Sequence, residues 1–192
     1  PVVLEAAEEA GLGVHVDSNG TCIDESTARR LGNLEGLVLV LSLDHPDPRP
    51  NDAVRGEGTF EAVRLAVERL RQYAPRVRLG VNAVVGTHNL DALDGLVDLA
   101  VAWRLDSVKF FPVHRNLAHR WKTDAEAADP LVQWQPDRVV GAIDRARARA
   151  RALGLHSVSR GFVRHLPGFL AGRPGPACFA GFVVGNLDPY GH

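Results

Sequence analysis

The stretch VLVLSLDHPDPRPNDAVRGEGTFEAV, Val38–Val63, decides the fold of this chain. It opens with a continuous apolar run, which is expected for a strand covered by helices on both faces. A polar segment rich in proline, arginine and glycine follows before the amphipathic pattern of a helix begins. Strand-to-helix connections usually take only about 2–6 residues, so this segment is unusually long. A long polar loop after a buried strand is typical of a functional site in α/β proteins.

The same alternation of apolar strands and amphipathic helices continues on both sides of this stretch. It predicts parallel strands joined by right-handed crossovers. Either an open doubly wound sheet or part of a (β/α) barrel satisfies it, and both place chemistry at the carboxyl ends of the strands. The predicted strands lie near Gly13–Asp17, Leu37–Asp44, Val77–Val85 and Ser107–Val113.

Composition narrows the class of protein. The chain has 192 residues, of which 45% are hydrophobic, and a net charge of -1, which does not suit an electrostatic nucleic-acid binder. No apolar run reaches the length of a membrane span. The two cysteines form no disulfide framework, which predicts a reducing, cytoplasmic location. The chain begins at Pro1 and contains no methionine, so we expect a piece of a longer protein, truncated at both ends.

Polar residues follow the predicted strands. Ser42 and Asp44 occupy alternate positions, so both side chains could point the same way and hold a vicinal diol such as a ribose. The alternative, which spacing alone favours, is that Ser42 bonds backbone and Asp44 starts the turn. Arg55 could clamp a carboxylate or phosphate, or could be a solvated loop arginine.

Histidines offer a different chemistry. His45, His88 and His114 each follow a different predicted strand, where a metal ion could be bound. This pattern would suit a metal-dependent barrel hydrolase. The absence of a His-x-His or glutamate-containing metal motif counts against it.

Five stretches, taken in order, resemble the radical S-adenosylmethionine (SAM) enzymes, in the branch that carries a C-terminal SPASM or twitch-type extension. VDSNG resembles the family's Thr-Asn-Gly strand end, VLVLSLDHP its Ser-Leu-Asp-Gly strand, and NDAVRGEGTFEAV its Arg-Gly-x-Gly-Thr-Phe loop. The last two stretches match a later strand and helix and the opening of the extension. The five are Val16–Gly20, Val38–Pro46, Asn51–Val63, Val81–Ala100 and Cys178–Gly191.

The resemblance implies a partial (β/α) barrel over residues 1–172 and the start of a hairpin extension over residues 173–192. It implies SAM and a [4Fe-4S] cluster as cofactors, and reductive cleavage of SAM to drive radical modification of a peptide or small molecule. It also implies an electron donor for the cluster as partner. Net charge and composition predict neither nucleic acid nor membrane as a partner.

The resemblance assigns roles to individual residues. Ser42 would contact the ribose or methionine portion of SAM, and Asp44 would shape the same side of the binding site. Arg55 would also belong to the cofactor site, although its match to the family motif is weaker. Ser18 and Asn19 would face SAM or substrate. The further residues are Phe111, Pro112 and Val113 along the adenine, Asn82 at the substrate, and Cys178 as a ligand of an auxiliary cluster.

Two motifs of the family are absent: the three-cysteine motif that binds the cluster, and the Gly-Gly-Glu-Pro strand end that holds the methionine amino group. We therefore expect the parent protein to be an oxidoreductase or maturase and this chain alone to be inactive. A non-catalytic scaffold derived from a degenerate family member remains the other alternative.

Overall fold

The computed structural model describes residues 2–113, 135–171 and 173 of the chain. Its centre is a parallel four-stranded sheet with the spatial order β1-β2-β3-β4, so neighbours in sequence are neighbours in space. The strands are β1 His15–Ser18, β2 Val38–Ser42, β3 Arg78–Val85 and β4 Ser107–Pro112. The predicted α/β class and the sequential parallel order are confirmed. Each strand is one to three residues shorter than its predicted range, and β1 ends one residue later than predicted.

Helices connect the strands, as parallel pairing requires. They are α1 Val2–Glu9, α2 Glu25–Leu31, α3 Pro48–Arg55, α4 Thr59–Tyr73, α5 Leu93–Ala102, α6 Pro136–Ala152 and α7 Arg160–Leu170. Asp24 caps α2 by accepting a hydrogen bond of 2.7 Å from the Thr27 amide. Pro136 occupies the first turn of α6, where its missing N–H costs nothing.

One face of the sheet lies under helices. Leu41 of β2 is fully buried and lies beside Val63 and Ala66 of α4, next to Gly20. Gly20 takes a φ of 76°, which a residue with a side chain rarely adopts. This face holds much of the core, including Leu39, Leu43, Leu79, Val81, Ala83, Val85, Val108 and Phe110.

The chain returns to the sheet after α6. The His156 amide donates to the Asp106 carbonyl at 3.0 Å, and the Val108 amide donates to the His156 carbonyl at 2.9 Å. His156 thereby forms a parallel bridge to Ser107 on the free side of β4. This bridge occupies the position of a fifth strand, which the sequence pattern did not predict.

The hairpin predicted for Cys178–Gly191 lies outside the described residues, so the boundary between residues 172 and 173 stays a prediction. Within the described part of the chain, no helix combines the length and the apolar composition needed to cross a bilayer.

Candidate functional site

The second face of the sheet carries a row of polar side chains. Ser42 pairs in register with Asn82, and Asn82 pairs with Lys109. Residues in register on neighbouring parallel strands point to the same face, and these three are half-buried. We call Ser42, Asn82 and Lys109 the inner-face row. It lies at the carboxyl end of β2 and in the middle of β3 and β4.

Much of the hydrogen-bonding capacity of the inner-face row is unused. Asn82 Nδ2 donates to Asp17 Oδ1 at 2.7 Å, a bond that reaches across β2 to β1. Asn82 Oδ1 is buried and has no partner. Among the described residues, neither the Ser42 hydroxyl nor the Lys109 ammonium makes a hydrogen bond or ion pair. The Ser42 hydroxyl and the Lys109 ammonium are not fully buried, so a ligand could reach them, whereas Asn82 Oδ1 lies below the surface beside them.

Behind the row, the segment after β2 is fixed by a buried ion pair. Asp44 is only 2% exposed, and its carboxylate accepts hydrogen bonds from Arg55 Nη2 at 2.8 Å and the Val84 amide at 2.7 Å. Arg55 Nε lies 2.8 Å from the second oxygen of Asp44. Asp44 therefore joins the end of β2 to the last turn of α3 and to β3.

Two neighbouring residues extend this connection. Asn51, which is fully buried, accepts from the Asp44 amide at 3.0 Å and donates to Asp52 and Thr59. Asp52 Oδ1 accepts from the Phe60 amide at 2.8 Å, and Oδ2 accepts from the Gly58 amide. The bond from the Phe60 amide is the main reason why the pKa of Asp52 is lowered. Asp52 therefore supplies the capping contacts at the start of α4.

Asn89 completes the arrangement from the loop after β3. Its Nδ2 donates to the carbonyls of Asp44 at 2.8 Å and Val84 at 3.0 Å, and its Oδ1 accepts from the Gly86 amide. Asn89 is 1% exposed. We call the set Asp44, Asn51, Asp52, Arg55 and Asn89 the strand-end network. Sequence reasoning missed Asn51, Asp52 and Asn89, although each stands in a stretch that carries the family resemblance.

The structure separates Ser18 and Asn19 from the inner-face row. Ser18 is in register with Leu41, which places it on the helix-covered side, opposite to Ser42. Its hydroxyl accepts from the Gly20 amide at 3.1 Å. Asn19 Oδ1 accepts from the Thr21 amide and hydroxyl. Both side chains shape the turn after β1, and their role in binding SAM or substrate stays a prediction.

Arg55 and the residues at the end of β4 contact other protein groups. The Arg55 guanidinium is committed to Asp44, which leaves less of it for a ligand. Phe111 lies two residues beyond Lys109, is 37% exposed and packs edge-on against Phe162 with ring centroids 5.6 Å apart. Pro112 is buried, and the Val113 amide donates to the Val85 carbonyl. Cys178 lies outside the described residues.

The geometry gives little support to a metal site built from His45, His88 and His114. His45 Nδ1 accepts from the Asp47 amide at 3.0 Å, and His114 lies outside the described residues. Both ring nitrogens of His88 are buried without a hydrogen-bond partner. Burial lowers the pKa of His88, and the nearby Asp44 carboxylate opposes this effect. In the described part of the chain, no three His, Cys, Asp or Glu side chains come together as a metal-binding set.

Solved structures share the fold of this chain. Its structural neighbours are radical SAM barrel enzymes. One solved structure, of anSMEcpe with bound AdoMet and the Kp18Cys peptide, superposes with a TM-score of 0.56 at 18% sequence identity. The match covers 84% of this chain and 44% of that chain. At this identity the likeness concerns the fold alone.

Sequence comparison adds homology. The chain is 30% identical over 194 residues to the mycofactocin maturase MftC of Mycolicibacterium smegmatis, a match that covers 98% of this chain. It is 28% identical over 201 residues to the PqqA peptide cyclase of Xanthomonas oryzae pv. oryzae, which covers 100% of this chain. The chain is a homologue of these radical SAM enzymes, and the resemblance predicted from the sequence is confirmed.

The chain spans about half the length of these relatives, 46% of the first and 49% of the second. No protein-family model matches it.

Proposed function

We propose that the protein carrying this chain is a radical SAM maturase that modifies a peptide, and that this chain supplies part of the barrel wall that binds SAM. The observation that carries the proposal is the free Ser42 hydroxyl in the inner-face row. It lies at the carboxyl end of a central strand, where α/β proteins bind their ligands. Homology to a maturase and to a peptide cyclase supports the reaction class.

The position of Ser42 is well defined because the strand-end network holds the chain directly after it. Asp44, two residues on, is locked to Arg55 and the Val84 amide. The Asp44 amide and carbonyl are themselves bonded to Asn51 and Asn89. A hydroxyl on such a rigid segment can donate to or accept from a ribose or carboxylate oxygen with little loss of conformational entropy.

The residues of this chain fit SAM but do not fit an iron–sulfur cluster. A [4Fe-4S] cluster is held by cysteine thiolates, normally four. This chain has two cysteines, and Cys22 is exposed and free beside the turn after β1. We therefore place cluster ligation in a part of the parent protein outside this chain. A bound cluster would supply the electron that cleaves SAM, and the residues described here would orient SAM and exclude water around it.

A peptide is the substrate class that the comparisons favour. The names of both relatives state a maturase or a peptide cyclase, and the anSMEcpe structure contains a peptide. The sequence alone left peptide and small-molecule substrates open.

Binding of SAM to variants of the full-length parent protein tests the proposal. Loss of one hydrogen bond in Ser42→Ala should weaken SAM binding by about 0.5–1.5 kcal/mol, a few-fold to tenfold. Iron content should not change, because no cluster ligand is altered. Equilibrium dialysis with labelled SAM, together with iron analysis, measures both.

His88→Ala is the matched control, because His88 follows β3 but is not part of the inner-face row. We expect it to leave SAM affinity nearly unchanged. Normal SAM binding by Ser42→Ala, combined with loss of a bound zinc ion in His88→Ala, would refute the proposal and support the metal-dependent hydrolase instead.

A further inference from the structure

Lys109 is the charged member of the inner-face row, and its ammonium makes no hydrogen bond to any residue that the structure describes. It is half-buried on β4 and forms no ion pair with any described residue. By contrast, the half-buried Arg55 and Arg71 are each paired with a carboxylate, Asp44 and Asp106. A partly buried ammonium without a counter-charge is unfavourable, and an anionic ligand would relieve this cost.

The neighbouring Asn82 amide has a fixed orientation. A carboxylate can only accept, so the 2.7 Å contact with Asp17 assigns the donating Nδ2 to that side. The buried Oδ1 is then an acceptor without a donor. An unsatisfied buried carbonyl is also unfavourable, and an N–H group of a ligand would satisfy it.

The two free groups lie side by side. Asn82 and Lys109 are in register on adjacent strands, which are about 4.8 Å apart. Asp17 contacts Asn82 from the β1 side, whereas Lys109 lies on the opposite, β4 side of Asn82. An acceptor next to a cation complements the N–H and the carboxylate of a single amino-acid residue. Phe111, two residues beyond Lys109 on the same face and 37% exposed, adds an apolar surface beside them.

We propose that Lys109 and Asn82 bind a carboxylate-bearing residue of the peptide substrate, with the carboxylate on Lys109 and the residue's N–H on Asn82 Oδ1. This inference rests on the proposed function in so far as it takes the substrate to be a peptide. The amino-acid portion of SAM is a second source of a carboxylate, and the experiment separates the two.

The probe is N-acetylphenylalanine, compared with its uncharged carboxamide, with the full-length protein and without SAM. Ligand-observed NMR gives the dissociation constants. We expect the acid to bind about tenfold more tightly than the carboxamide, as for a hydrogen bond to a charged group. Lys109→Met should abolish this preference, and Lys109→Arg should restore most of it, which separates loss of charge from misfolding.

Arg78→Gln is the control for net charge, because Arg78 is an exposed cation at the other end of β3. It should keep the full preference. Equal binding of acid and carboxamide, or an equal loss of preference in Arg78→Gln, would overturn the proposal. So would a Lys109→Met variant that binds SAM about tenfold more weakly but still prefers the acid, since the carboxylate on Lys109 would then belong to SAM. Because the probe is measured without SAM, failure of SAM binding and failure of this subsite are distinguishable.

Discussion

The strand-end network and the inner-face row are both polar. The row lies on β2, β3 and β4, and the network joins the segments that follow β2 and β3. In the network, the carboxylate of Asp44 and the amide of Asn89 each make several hydrogen bonds with protein groups. Arg55 Nε makes no hydrogen bond with a described residue, but it lies 2.8 Å from the Asp44 carboxylate as part of the ion pair. In the row, the Ser42 hydroxyl, the Asn82 Oδ1 and the Lys109 ammonium are free. Buried polar groups that are satisfied stabilise a fold, whereas those left unsatisfied cost free energy.

This difference separates structural residues from ligand-binding ones at a site where residue types alone do not. Asp44 and Ser42 are two residues apart in one motif, yet only Ser42 has its hydrogen-bonding group available. Substitutions in the network should therefore change stability, and those in the row should change binding.

The largest expected effect is that of Asp44→Ala. It leaves Arg55 and the Val84 amide without their acceptor, and breaking a buried ion pair by removing one partner costs about 3–5 kcal/mol. Because the Arg55 side chain is 21% exposed, we expect the lower end, about 3 kcal/mol of unfolding free energy. Urea unfolding followed by circular dichroism measures it.

Asp91→Ala is the matched control for this variant. The Asp91 side chain is 88% exposed and lies 3.5 Å from Arg138. Surface pairs of this kind contribute little, so the change should stay within about 0.5 kcal/mol. Equal destabilisation by the two variants would contradict the structural role given to Asp44.

Asn89→Ala should have an intermediate effect. It removes the partner of the Gly86 amide and of two carbonyls, all at the junction of β2 and β3. We expect a loss of about 1–3 kcal/mol, and faster hydrogen exchange at the Gly86 amide. Asn33→Ala, at an exposed asparagine after α2, should change stability by less than about 0.5 kcal/mol. A fully stable Asn89→Ala protein would show that the network is not needed to hold the strand ends.

The sequence predicted the strands well because their apolar runs are continuous, and it missed α3 because three prolines suggested a loop. Pro48 and Pro50 lie in the first turn of that helix, where proline is tolerated. Helix α7 was not predicted either, because it contains Gly161, Pro167 and Gly168, which disfavour helix. Ser159 nevertheless caps its first turn.

The candidate site was only partly predictable. The alternation of apolar residues in β2 and β3 places Ser42 and Asn82 on the same face of the sheet, because register is set by the apolar pattern. The bond between Asn82 and Asp17 joins residues 65 positions apart, which no local spacing could indicate. Ser18 is in register with Leu41 and not with Ser42, which places the two serines on opposite faces of the sheet.

His88 gives the smallest and most specific test, because it stands near the network and yet has both ring nitrogens unpartnered. Burial lowers its pKa from the ordinary value of 6.5, so the folded protein binds a proton on His88 less readily than the unfolded chain does. Stability from this group should therefore be complete above about pH 6.5 and should fall as the pH drops from 6.5 towards the folded pKa. NMR titration of the His88 ring should show a midpoint below 6.5, and the pH dependence of unfolding in this window should be weaker in His88→Asn. A midpoint above 6.5 would mean that the Asp44 carboxylate outweighs burial at this position, and that Asp44 is less completely neutralised by Arg55 than the strand-end network implies.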